Sequence, residues 1–216
     1  MSPERTVIGV EIGGTKVAAA LVRGRLPAPG ARTRAEVETP EVIDRFTMPT
    51  DVSSAEACLA GVVACIADLE HGSGEAEGIG VGVASMVDFA GGRVVASVNL
   101  PLTDVPLRDH LQRRFGVRVV VDNDATAAAI GEHAFGAGVG VREMLMLTLG
   151  TGVGGGIISG GRPYRGASGA AAEFGHITID VNGPDCPADC PGRGCLEAFV
   201  AGPAMGAAAV TAARLE

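Results

Sequence analysis

Apolar residues along this chain come in short runs broken by glycine, and the period within the runs alternates between strand-like and helix-like. Residues 5–22, RTVIGVEIGGTKVAAALV, hold two apolar runs joined at Gly13 and Gly14, which predicts a β-hairpin. The Pro-rich, charged stretch 24–42 reads as a loop or an exposed extension of that hairpin. The period then lengthens. Cys58, Val62, Cys65, Ile66 and Leu69 share one helical face, and Ser53 with Glu56 forms an S-x-x-E capping box that predicts the helix start. GIGVGVASMV, 78–87, is a buried strand too rich in glycine to make a good helix. VPLRDHLQRRFG, 105–116, is a helix with Pro106 near its start and Gly116 closing it.

The pattern then starts again. VRVVVDND (117–124) is a strand, ATAAAIGEHAFG (125–136) an alanine-rich helix, and REMLMLTLG (142–150) a strand. VGGGIISGG (153–161) is a glycine turn feeding another strand, and HITID (176–180) is a further strand. Residues 196–215 form a closing helix interrupted at Gly202-Pro203. Two strand–glycine-turn–strand units, one in each half, predict an α/β fold with mixed sheets. The domain junction is placed near Val121, with an N-terminal lobe over 1–121 and a C-terminal lobe over 122–216.

A chain of 216 residues, 47% hydrophobic and 19% charged, can bury a core as one large or two small domains. The net charge of -8 and the lack of a Lys/Arg cluster oppose binding to nucleic acid or to an anionic membrane. A small anion remains possible, because backbone amides and a divalent cation can neutralise it locally. The start lacks a long apolar segment of the kind that leads secretion, and no stretch is apolar and long enough to span a bilayer, so the cytosol is the expected compartment. Cys58 and Cys65 read as buried core thiols, whereas the clustered Cys186, Cys190 and Cys195 favour a metal over a disulfide.

Three places carry candidate chemistry. GVEIGGTK resembles a phosphate-cradling loop: Gly13 and Gly14 allow close approach of an anion, Thr15 offers a hydroxyl and Lys16 a charge. It lacks the P-loop spacing, and an ordinary hairpin turn is the competing reading. Gly150, Gly152 and Gly155 satisfy G-x-G-x-x-G, but the next residues, IISGGRPYRG, cannot form the helix that a dinucleotide fold requires. Asp122, Asn123 and Asp124 lie where a strand ends and a helix begins; Asp124 suits a helix cap, and equally a base that accepts a hydroxyl proton. Arg162 and Arg165 in RPYRG could reach a phosphate, but a solvated loop is the favoured reading.

GVEIGGTK, DNDATAAAIGE, LTLGTGVGGGII, AAEFGHI and CPGRGCLE occur in the order of the ROK family (repressors, open reading frames, kinases), and the chain most resembles its bacterial glucokinases from about residue 7 to 205. The resemblance implies the two-lobed fold of actin, hexokinase and the Hsp70 ATPase, and transfer of the ATP γ-phosphoryl group to the 6-hydroxyl of a hexose with Mg²⁺. It implies Asp124 as general base, with Asn99, Asn123, Glu173, His176 and Glu197 holding the sugar. Glu11, Gly13, Gly14, Thr15, Lys16, Gly150, Thr151 and Gly152 would line the path of the triphosphate and its Mg²⁺. His176, Cys186, Cys190 and Cys195 would hold a structural zinc, a closed Cys₃His set with no position for a catalytic water; unligated thiols are the alternative. A homodimer is also expected.

The chain departs from the family pattern in four ways. Cys186 and Cys190 are spaced C-x-x-x-C rather than C-x-C, Glu11 stands in place of Asp, and Thr126 stands in place of Asn. The chain also ends where family members continue for about a further third, so it is expected to be C-terminally truncated. A sugar-binding regulator without phosphoryl transfer is the second functional expectation. The absence of a helix-turn-helix ahead of the first strand disfavours DNA binding.

Overall fold

The computed structural model of the chain describes residues 2–28, 30–31, 33–73, 76–188 and 190–214. The predicted loop residues 29 and 32, and residue 215 of the predicted closing helix, lie outside this set. The hairpin forms as β1 (Arg5–Ile12) and β2 (Lys16–Gly24), paired antiparallel from Arg5↔Gly24 to Ile12↔Val17. A strand that the patterning did not suggest, β3 (Glu41–Pro49), adds to the far side of β2. It occupies the sheet edge and buries only Ile43, Phe46 and Met48 in part, so its apolar alternation is diluted by charge.

Helix α1 (Ala55–Ser73) leads to β4 (Gly78–Val83), and α2 (Leu107–Phe115) leads to β7 (Arg118–Asn123), with the small β5 (Met86–Asp88) and β6 (Arg93–Ala96) hairpin in between. Strand order is β3-β2-β1-β4-β7, with β1, β4 and β7 parallel, so the sheet is mixed as expected. One face of this sheet is a continuous core. Ile8, Val10, Ile12, Val17, Ala19 and Leu21 meet the predicted face of α1, where Cys58, Val62, Cys65, Ile66 and Leu69 are at most 1% exposed. Each fully buried Leu or Ile contributes about 1.5–3 kcal/mol by leaving water. Gly116 closes α2 in the left-handed region at φ 70°. The start of α1 differs by one residue from the predicted capping box. Ser54 Oγ accepts from the Ala57 N–H (3.1 Å), because Ser53 is drawn to Asp51 Oδ1 (2.5 Å).

A second sheet follows helix α3 (Asp124–Phe135), with strand order β10-β9-β8 from β8 (Met144–Leu149), β9 (Val153–Ser159) and β10 (Arg162–Pro163). The run VGGGII is strand rather than turn, and only 150–152 bridges β8 to β9. Its glycines are contact surfaces. A methyl on Gly156 would overlap the Ala129 methyl, and one on Gly154 would sit 3.1 Å from that of Ala125, so α3 lies directly on the strand backbone. On the other sheet Gly82 leaves room for α3, since a methyl there would stand 3.2 Å from Asp124 Cα and 3.5 Å from Ala127 Cβ.

HITID does not form a strand. Residues 174–176 make a 3₁₀ turn, and a single bridge, Thr178↔Cys195, pairs the segment with the cysteine loop. The backbone is held by that loop instead of by a sheet. The closing helix divides as expected, into α4 (Glu197–Val200) and α5 (Gly202–Ala213). Among the described residues no helix is long and apolar enough to cross a membrane.

The glycine surfaces make a direct prediction. Gly156→Ala overpacks the α3–β9 contact and should destabilise the protein by about 1–3 kcal/mol. Gly9→Ala, where an added methyl meets nothing within 4 Å, should be neutral or stabilising by up to about 1 kcal/mol. Urea unfolding midpoints separate the two; equal midpoints would contradict the packing.

Candidate active site

Three parallel strands end flush. Ile12 pairs with Val83 and Val83 with Asn123, so the residues that come after each strand emerge along one edge of the sheet. In α/β sheets this carboxyl edge is where ligands bind. One row back, Glu11, Gly82 and Asp122 are aligned, which places the two carboxylate-bearing residues two strands apart, roughly 10 Å at the usual spacing.

The first glycine turn is a tight one. Gly13 N–H donates to Lys16 O (3.0 Å), and Thr50 at the end of β3 pins it twice, N–H to Thr15 O (3.0 Å) and Oγ1 to Gly13 O (2.6 Å). Gly14 is needed for space, since a methyl there would lie 3.1 Å from Asn99 Cβ. Asn99 is thereby placed beside the turn. The second turn is closed by Gly150 N–H to Gly152 O (2.9 Å) and held from outside by Gly202 N–H to Gly150 O (2.8 Å).

Asn123, not Asp124, caps α3: its Oδ1 accepts from Thr126 N–H (3.0 Å), and Thr126 is buried at the position where the family pattern has Asn. Asp124 therefore does not need its side chain to start the helix. Its Oδ1 accepts from Ala125 N–H (2.9 Å) and from Asn123 Nδ2 (3.0 Å), leaving Oδ2 without a protein hydrogen bond among the described residues. A carboxylate anchored by one oxygen with the other unengaged is arranged to accept a proton.

The segment after β10 completes the far wall. Glu173 and His176 are exposed on the 3₁₀ turn, and Glu197 is buried at the start of α4. Glu197 Oε2 accepts from the Val153 N–H (2.7 Å), and Gly152 and Gly175 are bare where a methyl would press on the same carboxylate. This acid thus braces the second glycine turn, a task its predicted sugar contact did not suggest. Glu11, Gly13, Gly14, Thr15, Lys16, Asn99, Asn123, Asp124, Gly150, Thr151, Gly152, Glu173, His176 and Glu197 all line one wide cleft of about 2500 Å³.

Behind that wall, His176, Cys186, Cys190 and Cys195 bring four ligand atoms within 4.8 Å of one another. His176 Nδ1 is 3.6 Å from Cys186 Sγ, close to the roughly 3.5–3.8 Å separating ligands of a tetrahedral ion with bonds of 2.0–2.3 Å. The longer C-x-x-x-C spacing is absorbed in the loop without spreading the sulfurs. Gly194, at φ 59°, lies so close to the Asp180 carbonyl that no side chain fits there. Burial, reinforced by the Cys190 and Cys195 thiols, pushes the Cys186 thiol up to about 11, so a bound cation would displace a proton there. The donor set fits a closed, structural metal ion.

Thr50 and Arg165 were not found by sequence reasoning. Thr50 has no signal beyond an isolated hydroxyl at a strand end. Arg165 is not a solvated loop cation: it donates to both oxygens of Asp122.

The pattern of the ROK family matches residues 7–214. The chain is 37% identical over 198 residues to a glucokinase of Streptomyces coelicolor, covering 92% of this chain and 57% of that protein. It is 45% identical over 122 residues to a putative xylose repressor of a Caldicellulosiruptor species, covering 56% of this chain and 30% of the repressor. A ROK family glucokinase from Streptomyces griseus, solved in complex with glucose and AMPPNP, matches with a TM-score of 0.78 and 36% identity over 97% of this chain and 62% of its own. The architecture is therefore the actin-like ATPase fold of ROK glucokinases, present in part, and the chain spans little more than half the length of the glucokinases it matches.

The Glu197 brace is testable apart from any activity. Glu197→Ala leaves the buried Val153 N–H unpaired and should cost about 1–3 kcal/mol, with faster hydrogen exchange at the Val153 amide. Glu197→Gln keeps an acceptor oxygen and should lose less. Unchanged exchange in the alanine variant would contradict the assignment.

Proposed function

The chain belongs to the ROK family, and we propose that it carries the hexose-binding cleft and phosphoryl-transfer residues of a glucokinase-type sugar kinase. The observation that supports this most is Asp124 at the flush strand ends. One of its oxygens is fixed by two N–H donors and the other is unengaged among the described residues, within the same cleft as both glycine turns.

In this reading Glu173, His176, Asn123, Asn99 and Glu197 Oε1 bind the hydroxyls of a hexose and leave one hydroxyl facing Asp124. Binding several hydroxyls at once fixes the orientation of the one left free, which is the main task in phosphoryl transfer. Asp124 Oδ2 takes the proton of that hydroxyl as its oxygen forms the new bond to phosphorus and the bond to the leaving phosphate breaks. When bound, Mg²⁺ATP would supply the phosphoryl group and neutralise its charge. Gly13, Gly14, Thr15, Gly150, Thr151 and Gly152 present backbone to its phosphates, Lys16 adds a cation, and Glu11 supplies a carboxylate toward the hydrated metal. Structural zinc held by His176 Nδ1, Cys186, Cys190 and Cys195 would pin the loop behind Glu173 and leave His176 Nε2 for the sugar. The domain division belongs to the same proposal, an N-terminal lobe ending near Val121 and a C-terminal lobe beginning at Asp122.

A second reading rests on the 45% identity to a putative xylose repressor: a sugar-binding regulator that keeps the pocket without transfer. A coupled assay for glucose-6-phosphate, with calorimetry of glucose binding, decides between them. The kinase reading expects Asp124→Ala to lose about 10²–10⁴-fold in kcat while glucose affinity is retained. Glucose binding without turnover in either protein favours the regulator, and no binding in either removes both readings. Elemental analysis should find a single equivalent of zinc, and Cys190→Ser should lose it together with most of the glucose affinity. Full affinity in a metal-free protein would refute the role given to the knuckle.

A further inference from the structure

Arg165 is a charged side chain that the chemistry above leaves unused. It sits just beyond β10 and reaches back to the first sheet. Its Nε donates to Asp122 Oδ1 and Oδ2 (3.2 and 3.1 Å), and its Nη2 donates to Oδ2 (2.6 Å). The guanidinium also lies over the Phe89 ring, 3.7 Å from its centroid. The two charged side chains are only 20% and 9% exposed. Desolvating such a pair contributes little to stability on balance, because an apolar pair of similar volume does as well. What a planar fork stacked on a ring supplies is direction.

Both ends of this clamp lead into the cleft. Asp122 Oδ1 also accepts from the Asn123 N–H (3.0 Å), and Asn123 caps α3 and donates to Asp124. On the other side the Arg165 carbonyl accepts from the Ala171 N–H (3.2 Å), closing the loop 165–171 two residues before Glu173. Gly166 (φ 70°) and Gly169 (φ 83°) allow the loop to fold back, and Gly169 lies against the Val87 carbonyl of β5. One guanidinium therefore joins the strand end that presents Asp124 to the loop that delivers Glu173 and His176.

We propose that Arg165 is a positioning residue for hexose phosphorylation, holding the Asp122–Asn123–Asp124 strand end in register with the sugar-binding loop. The proposal rests on the kinase reading above. Arg165→Met keeps the length of the side chain but leaves Asp122 buried without its partner. Arg165→Lys restores the charge without the fork.

The test compares wild type, Arg165→Met, Arg165→Lys, Asp122→Asn and the Arg165→Met/Asp122→Asn pair by glucose phosphorylation kinetics, glucose calorimetry and thermal melting. Arg165→Met should lower kcat by about 10²-fold, the scale expected when a reacting group is misplaced by an ångström or so. The loss of kcat should exceed the loss of glucose affinity, and Arg165→Lys should recover part of it. The double variant should fall no further than Arg165→Met, because both changes remove one contact. Wild-type kcat and KM in Arg165→Met, multiplied effects in the double variant, or losses that only track the unfolded fraction would each overturn the proposal. A wild type that binds glucose but transfers no phosphoryl group, or that does not bind it, would instead overturn the kinase reading and this proposal with it.

Discussion

Helix α3 is held between two sheets by surfaces that have no side chains. Gly82 opens the first sheet beneath Asp124 and Ala127, and Gly154 and Gly156 open the second beneath Ala125 and Ala129. The helix meets them with alanine methyl groups and with its own backbone at Asp124, Ala125 and Thr126. Close packing of this kind tolerates little displacement. It fixes the N-terminus of α3 at the edge where β1, β4 and β7 end together, and that is where Asp124 stands. In the proposed kinase reading the rest of the cleft depends on this placement, because a base contributes only where its oxygen meets the proton it removes.

The opposite wall is built by another means. The described residues of the segment 173–195 have almost no regular secondary structure, so neither sheet nor helix rigidifies them. Three cysteines and His176 converge on one point instead, and Glu197 ties the end of this loop to Val153 in the second glycine turn. The two walls are then joined through Arg165 and Asp122. Each link has a distinct physical character: dispersion at α3, four converging ligand atoms suited to a metal ion at the cysteine loop, and a charge-assisted fork between the walls.

Much of this was legible in the sequence. The β1–β2 hairpin, the buried face of α1, the close of α2 at Gly116 and the strand–helix junction at Asp122–Asp124 come from local period and local chemistry, and they are where expected. The clustering of His176 with the three cysteines came from resemblance to a family, and the ligand atoms do come together. All but one of the misses share a cause, a deciding partner that is remote in the chain; the exception, at the start of α1, is local. The glycines of β9 suggested a turn because their real partners, Ala125, Ala129 and Phe174, are remote in the chain. HITID has strand-like residues but pairs only at Thr178↔Cys195. The α1 cap moved to Ser54 because Asp51 competes for Ser53. The role of Arg165 depends on a carboxylate 43 positions away.

A crystal structure of this protein with glucose bound would test the central claim most directly. The account predicts the sugar in the cleft with its 6-hydroxyl in hydrogen-bond reach of Asp124 Oδ2, its ring held from the Glu173 and His176 side, and α3 unmoved against Gly82 and Gly156. Glucose bound with Asp124 out of reach of any of its hydroxyls, or a helix shifted away from those glycines, would contradict it.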